Sequence, residues 1–220
     1  MKNILKITCV VIAFSMTTQY YTQAAFGVRA GLNLSKMSGK AFDDLGNGFD
    51  TKTLPSFNVG LITELGVSES FFVESGLYIS GKGIKVEGDL GGGAGKVTQT
   101  LSALYLEIPL NASFKADLGG AMLNIFAGPY LAIAVSGKSK LEYPSAFSSL
   151  DEEDDLKFGT DVADDLKRTD FGLNFGAGIQ FESIVIRAQY GLGLTNLDPE
   201  GDSDFEMKNG VIGISLGYMF

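Results

Sequence analysis

The chain has no histidine, no tryptophan, a single cysteine, and only 17 basic residues against 26 acidic ones in 220. Without histidine, Ser-His-Asp and Cys-His nucleophiles and imidazole-based metal sites are excluded. A formal charge of −9 with no basic cluster argues against a nucleic-acid partner. Beyond the N-terminus, no stretch reaches the ~18 to 20 apolar residues that a spanning helix needs. What the chain does have is glycine, 29 residues without a collagen period. Those belong to turns and to strand faces with no room for a side chain.

Met1 to about Ala25 reads as a secretory signal peptide. Lys2 and Lys6 supply its positive start, Ile7 to Met16 its apolar core, and Thr22-Gln23-Ala24 a small-x-small cleavage site. Cys9 lies inside that core, behind Lys6-Ile7-Thr8, which is a poor lipidation box. The domain from 26 to 220 then has no thiol, and 15 basic residues against 26 acidic ones give it a formal charge of −11.

The last thirteen residues, Lys208 to Phe220, set the pattern for the rest. Ile212, Ile214, Leu216, Tyr218 and Phe220 alternate with smaller residues, the period of a strand between two environments. A terminal phenylalanine in phase with the apolar face suits the closing strand of an outer-membrane barrel, whose end sits in an aromatic girdle. Leu216, Tyr218 and Phe220 are accordingly read as an assembly signal for the barrel-assembly machinery. Seven further two-faced segments precede it: Phe26–Ser35, Ser56–Val67, Phe71–Lys82, Thr100–Lys115, a strand from about Leu123 to Val135, Asp170–Phe181 and Ile184–Asn196. Connections alternate long and short, beginning and ending long. With both termini on one side, three short turns share that side and four long loops the other. The fold class expected is therefore all-β: an eight-stranded antiparallel up-and-down transmembrane β-barrel with its termini on the periplasmic side. Pro109 and Pro129 lack the N–H of a central strand, so a bulge or a break in pairing is expected at each.

Two-faced strands alone do not separate a membrane barrel from a soluble one. The polar phase does. It is mainly Gly, Asn, Ser, Gln and Tyr, with charges at Arg29, Glu64, Glu74, Lys82, Glu107, Asp170 and Arg187. That composition suits a cramped interior, whereas the other phase is too bulky for a narrow lumen and must face lipid. Arg29, Glu64, Glu74 and Arg187 each lie about three residues from a short-turn end. They are expected to form, with Glu107 on the same face, an internal salt-bridge network that plugs the barrel, since buried charges persist when paired.

Several runs together resemble the PorT-like outer-membrane β-barrel family, in the broad OmpA/OmpX-like class. They are Gly27 to Ser35 (GVRAGLNLS), Tyr105 to Leu110 (YLEIPL), Ala127 to Tyr130 (AGPY), Asp170 to Ile179 (DFGLNFGAGI) and Tyr190 to Leu197 (YGLGLTNL). The resemblance implies a small outer-membrane barrel of a kind called porin-like. The member that names the family is linked to protein secretion; no motif here carries that role.

No catalytic residue, cofactor or metal site is expected. Gly91 to Lys96 lacks the Gly-Lys-Ser/Thr and following helix of a phosphate loop. The acidic run Asp198–Glu206 misses the offsets of an EF-hand and reads as a hydrated loop, and the run Asp151–Asp155 likewise reads as mobile and hydrated. The function expected is that of a monomeric integral barrel in outer-membrane lipid, with a structural or interaction role and a protein partner at its acidic external loops. The alternatives are a small-solute channel, an accessory of a secretion system, and a soluble periplasmic ligand-binding barrel.

Overall fold

The computed structural model describes residues 24–43, 48–91, 95–144, 150–161, 163–201 and 205–220. The expected signal peptide as far as Gln23, the centre of the glycine run and two carboxylates of the last acidic loop, Asp202 and Asp204, lie outside these residues, while Ala24 and Ala25 open the first strand.

Ten strands form one antiparallel sheet. They are β1 (Ala24–Ser38), β2 (Phe49–Lys52), β3 (Leu54–Gly66), β4 (Phe71–Asp89), β5 (Lys96–Asp117), β6 (Met122–Glu142), β7 (Glu152–Asp155), β8 (Thr169–Phe181), β9 (Ile184–Gly193) and β10 (Lys208–Met219). Eight of them close into a ring in the order β1-β3-β4-β5-β6-β8-β9-β10, and β10 returns to β1 through twelve paired positions, from Gly27↔Met219 to Ser38↔Lys208. The ring is the eight-stranded barrel that the alternation predicts. β2 and β7 are short additions, paired to the far ends of β4 and β6.

The side chains are sorted as the two phases require. On β1, Arg29, Asn33 and Ser35 are buried, while Phe26, Leu32 and Leu34 point out. The closing strand repeats this, with Ile214, Leu216 and Tyr218 outward and Ser215 and Met219 inward. Phe220, 78% exposed, follows in phase and donates its N–H to the Phe26 carbonyl at 2.8 Å. Its ring meets Tyr218 edge-on with centroids 5.5 Å apart.

The sheet is longer on one side than the sequence suggests. β4, β5 and β6 run for 19, 22 and 21 residues, about twice the ~9 to 11 that a tilted strand needs to cross. Pairing of β4 with β5 continues to Asp89↔Lys96, so most of the expected loop after Lys82 is ladder. The outward face changes character along the way. Ile79, Leu106 and Ile133 are followed by Lys85, Glu87, Thr98, Thr100, Lys138 and Lys140, and ion pairs link Lys85 to Glu87 and Lys138 to Glu153. The Lys138 ammonium holds the Glu153 carboxyl below its usual range. The change from hydrocarbon-compatible to hydrated marks where the wall leaves the membrane.

The prolines act on different ladders. The β4–β5 register omits the rungs opposite Ile108 and Pro109, and the β5–β6 register omits those opposite Pro129 and Gly128. A register shift also falls between Leu104 and Tyr105, away from both prolines, where Val135 is the extra residue.

A charge placed on the outward face should therefore be costly only within the apolar belt. Leu106→Arg is expected to lower stability by about 2–4 kcal/mol, and Thr100→Arg, six residues up the same face, by less than about 0.5 kcal/mol. Denaturant titration in lipid vesicles measures both.

Candidate functional site: the charged interior

Four cations and four anions are buried among the described residues: Arg29, Lys82, Lys115 and Arg187 with Glu64, Glu74, Glu107 and Asp170. They are separated into three groups at different heights.

In the central group Glu74 accepts from Arg187 Nη1 at 2.5 and 2.6 Å, and from Arg29 Nη2 at 3.4 Å. Arg29 Nη1 also donates to the Tyr78 hydroxyl at 2.9 Å, and Asn111 Nδ2 reaches Glu74 at 3.4 Å. The Arg187 guanidinium carbon lies over Phe126, 3.1 Å from the ring centroid.

Towards the long-loop side, Lys82 Nζ sits 2.8 Å from Glu107 and 3.1 Å from Asp170. Tyr130 and Asn209 both donate to the same Asp170 oxygen, at 3.2 and 3.0 Å. The ammonium lies 4.1 Å from the Tyr130 ring centroid and 5.2 Å from that of Tyr105. The third group, on the short-turn side, is Lys115 Nζ with Glu64 Oε1 at 2.5 Å and Gln180 Oε1 at 3.2 Å, over the Phe72 ring.

The single network expected from the sequence is thus corrected. Arg29, Glu74 and Arg187 meet; Glu64 and Glu107 belong to other groups. The physical reason is register. Glu64 and Glu74 are direct neighbours across β3 and β4, and like charges so placed repel. Each turns to a different cation across the lumen. Counting residues from strand ends ignores the shear of a closed barrel, which puts equal counts at unequal heights. Lys115 was missed although it continues the inward phase Asn111-Ser113-Lys115. Lys82 and Asp170 were recognised as inward but given no partners.

The space left over is small. Between the central and upper groups a polar cavity of about 20 Å³ is lined in part by Arg29, Glu107, Asn111 and Arg187. That is room for about one water. Above the upper group, Met37, Ile84, Leu156, Leu166 and Leu197 form an apolar cluster, backed by Phe42, Leu101, Phe158 and Met207. Leu156, Phe158 and Leu166 come from the segment that follows the acidic run Asp151–Asp155, and the two leucines lie at the barrel mouth while the run itself stays exposed. Carboxylates of both stretches fix turns: Asp151 accepts from the Tyr143 N–H at 2.7 Å and Asp165 from that of Lys157 at 2.8 Å. At the other end Ile62, Tyr78, Val185 and Met219 pack together inside the wall.

An antiparallel ring of eight strands, apolar without and ionic within, defines a small transmembrane β-barrel. The sequence from residue 17 to 198 matches the outer membrane protein beta-barrel domain, and the chain belongs to that family of outer-membrane proteins. Its solved neighbours include Ail, the attachment invasion locus protein of Yersinia pestis, with 18% identity over 90% of this chain and 99% of that one, at a TM-score of 0.43. Neisserial surface protein A aligns over 90% and 99% at 10% identity and a TM-score of 0.45. OprG from Pseudomonas aeruginosa aligns over 91% and 97% at 15% identity and a TM-score of 0.39. No curated protein matches the sequence.

The three-group arrangement has a measurable signature. A double-mutant cycle between Glu74 and Arg187 should show coupling of about 3 kcal/mol, within the range for breaking a buried pair. The cycle between Glu64 and Arg187 should be additive within about 0.5 kcal/mol. Urea unfolding of the three single and two double variants, beside the unaltered chain, reads this out.

Proposed function

We propose that this is a monomeric barrel closed along its axis, which acts through the part it holds outside the membrane. Its termini lie on the periplasmic side and its acidic segments meet a protein partner outside. The observation that carries the reading is the filled lumen. Among the described residues an apolar cap and three ion groups occupy the lumen, and the polar cavity between the central and upper groups holds about 20 Å³, which supports a closed barrel over an open channel. The length invested beyond the membrane in β4, β5 and β6 supports an external role, because a plain membrane anchor needs no such projection. The outward positions of Leu216, Tyr218 and Phe220 support their reading as the signal for the barrel-assembly machinery. The finer PorT-like resemblance rests on the sequence runs quoted above, and a secretion accessory is the form of partnership it would imply.

Planar-bilayer recording separates this from the channel alternative: silence is expected, and a steady open current would sink the closed-barrel reading. Orientation is tested on intact cells. An epitope inserted at Gly91 should be accessible to antibody, while one appended after Phe220 should become accessible only once the outer membrane is permeabilised. Co-purification of a stoichiometric membrane complex would shift the reading towards a secretion accessory.

A further inference from the structure

The outer wall carries a depression on its short-turn half. Along one rung, Leu65, Val73, Ala112, Ala127 and Phe175 stand side by side on β3, β4, β5, β6 and β8. The two alanines form a trough between bulkier neighbours. The rung above adds Leu110 and Pro129, and with Leu65, Val67, Val73 and the two alanines these line a groove of about 490 Å³ that is almost wholly apolar.

The wall under this groove is the least paired stretch of the barrel. Because Pro109 has no N–H, the β4–β5 ladder passes from Ser75↔Leu110 straight to Tyr78↔Glu107. Pro129 has the same effect one strand over, where the β5–β6 ladder passes from Pro109↔Tyr130 to Ala112↔Ala127. Each residue from Ile108 to Asn111 therefore lacks a ladder partner on one side. Ser75 Oγ donates to the Pro109 carbonyl at 2.8 Å as a partial substitute. In hydrocarbon, backbone groups without partners are costly, and water reaching them would loosen the wall.

We propose that this groove seats one acyl chain of a phospholipid from the leaflet on the short-turn side, and that the seated chain shields the stretch of β5 whose residues have a ladder partner on one side only. The groove is continuous with the lipid-facing belt, so hydrocarbon is its solvent. Its floor is two strands wide, at about 4.8 Å per strand, which suits a chain lying flat. A helix, roughly 10–12 Å across, is too wide for that floor. The convex wall of a second barrel would touch only the rims. The proposal rests on the membrane reading, and goes beyond it in naming one site on an otherwise interchangeable surface.

Native mass spectrometry of protein extracted in mild detergent tests the site. The unaltered chain should retain one phospholipid, and so should Ala188→Phe, which adds bulk to an outward alanine on β9 away from the groove. Ala127→Phe, or the milder Ala127→Leu, fills the trough and should reduce retention at least five-fold. Hydrogen exchange supplies the second readout. Amides of Ile108, Leu110 and Asn111 should exchange at least ten-fold faster in delipidated protein than in phosphatidylethanolamine–phosphatidylglycerol nanodiscs, with Leu173–Ile179 of β8 unchanged. Equal retention by the filled and control variants would mark the lipid as adventitious and overturn the proposal. So would lipid-free wild type, or panel amides indifferent to delipidation. A wild type that binds no lipid yet still needs detergent would leave the membrane reading standing.

Discussion

The structure depends on one constraint: inside hydrocarbon, every backbone N–H and C=O must find its partner within the protein. An open sheet cannot meet it, because each edge presents a row of unpaired groups. The twelve-position ladder between β1 and β10 removes both edges at once. Once that seam is closed, the alternation of each strand has only two destinations. Outward residues meet lipid, and inward residues must fill a cylinder too narrow for two facing rows of large side chains. Glycine on the inward phase follows from this crowding. At Gly128, a β-carbon would stand 2.7 Å from the Asn111 Cα on the neighbouring strand, so that position is held to glycine by backbone approach.

The same crowding decides how charge is carried. With little water inside, an ionised group is tolerated only beside its counter-charge, and the buried cations and anions are equal in number. They are not paired one to one. Two guanidinium groups share Glu74, and two carboxylates share Lys82. The central group thus carries one excess positive charge and the upper group one excess negative charge, facing each other across the small polar cavity. Neutrality holds for the column as a whole rather than for each layer, so loss of one member disturbs more than its nearest neighbour.

Much of this could be read from residue order. Strand number, neighbour order and the outward direction of Leu216, Tyr218 and Phe220 all follow from a period of two, which any shift by one residue would destroy. The inward charges were equally visible. Their partners were not, because partners across a barrel are set by register and shear, and neither is written in a single strand. The extension of β4 and β5 was hidden for a different reason. Above the membrane both faces are polar enough that alternation fades, and glycines in Ile84 to Lys96 suggest a loop where a ladder continues. Ile62, Ile84 and Val185 are apolar yet inward; Ile84 joins the apolar cluster above the upper ion group, and Ile62 and Val185 pack beside the ion groups on the short-turn half.

The two ends and the wall then divide the molecule's possible roles. Leucines pack at one mouth, and Ile62, Val185 and Met219 pack near the other, as the proposed closed barrel requires. Energy that could have been kept as hydrated space is instead committed to packing and ion pairing. The hydrated surface lies elsewhere: on the projecting ends of β4, β5 and β6, edged by β2 and β7, where outward side chains switch from aliphatic to charged. β7 contributes four exposed carboxylates, yet it is held in register by Lys138 to Leu141 of β6. Acidic residues fixed on a rigid ladder present a defined charge pattern, which a flexible loop of the same composition would not. Such a construction is consistent with the proposed role in recognition by shape and charge.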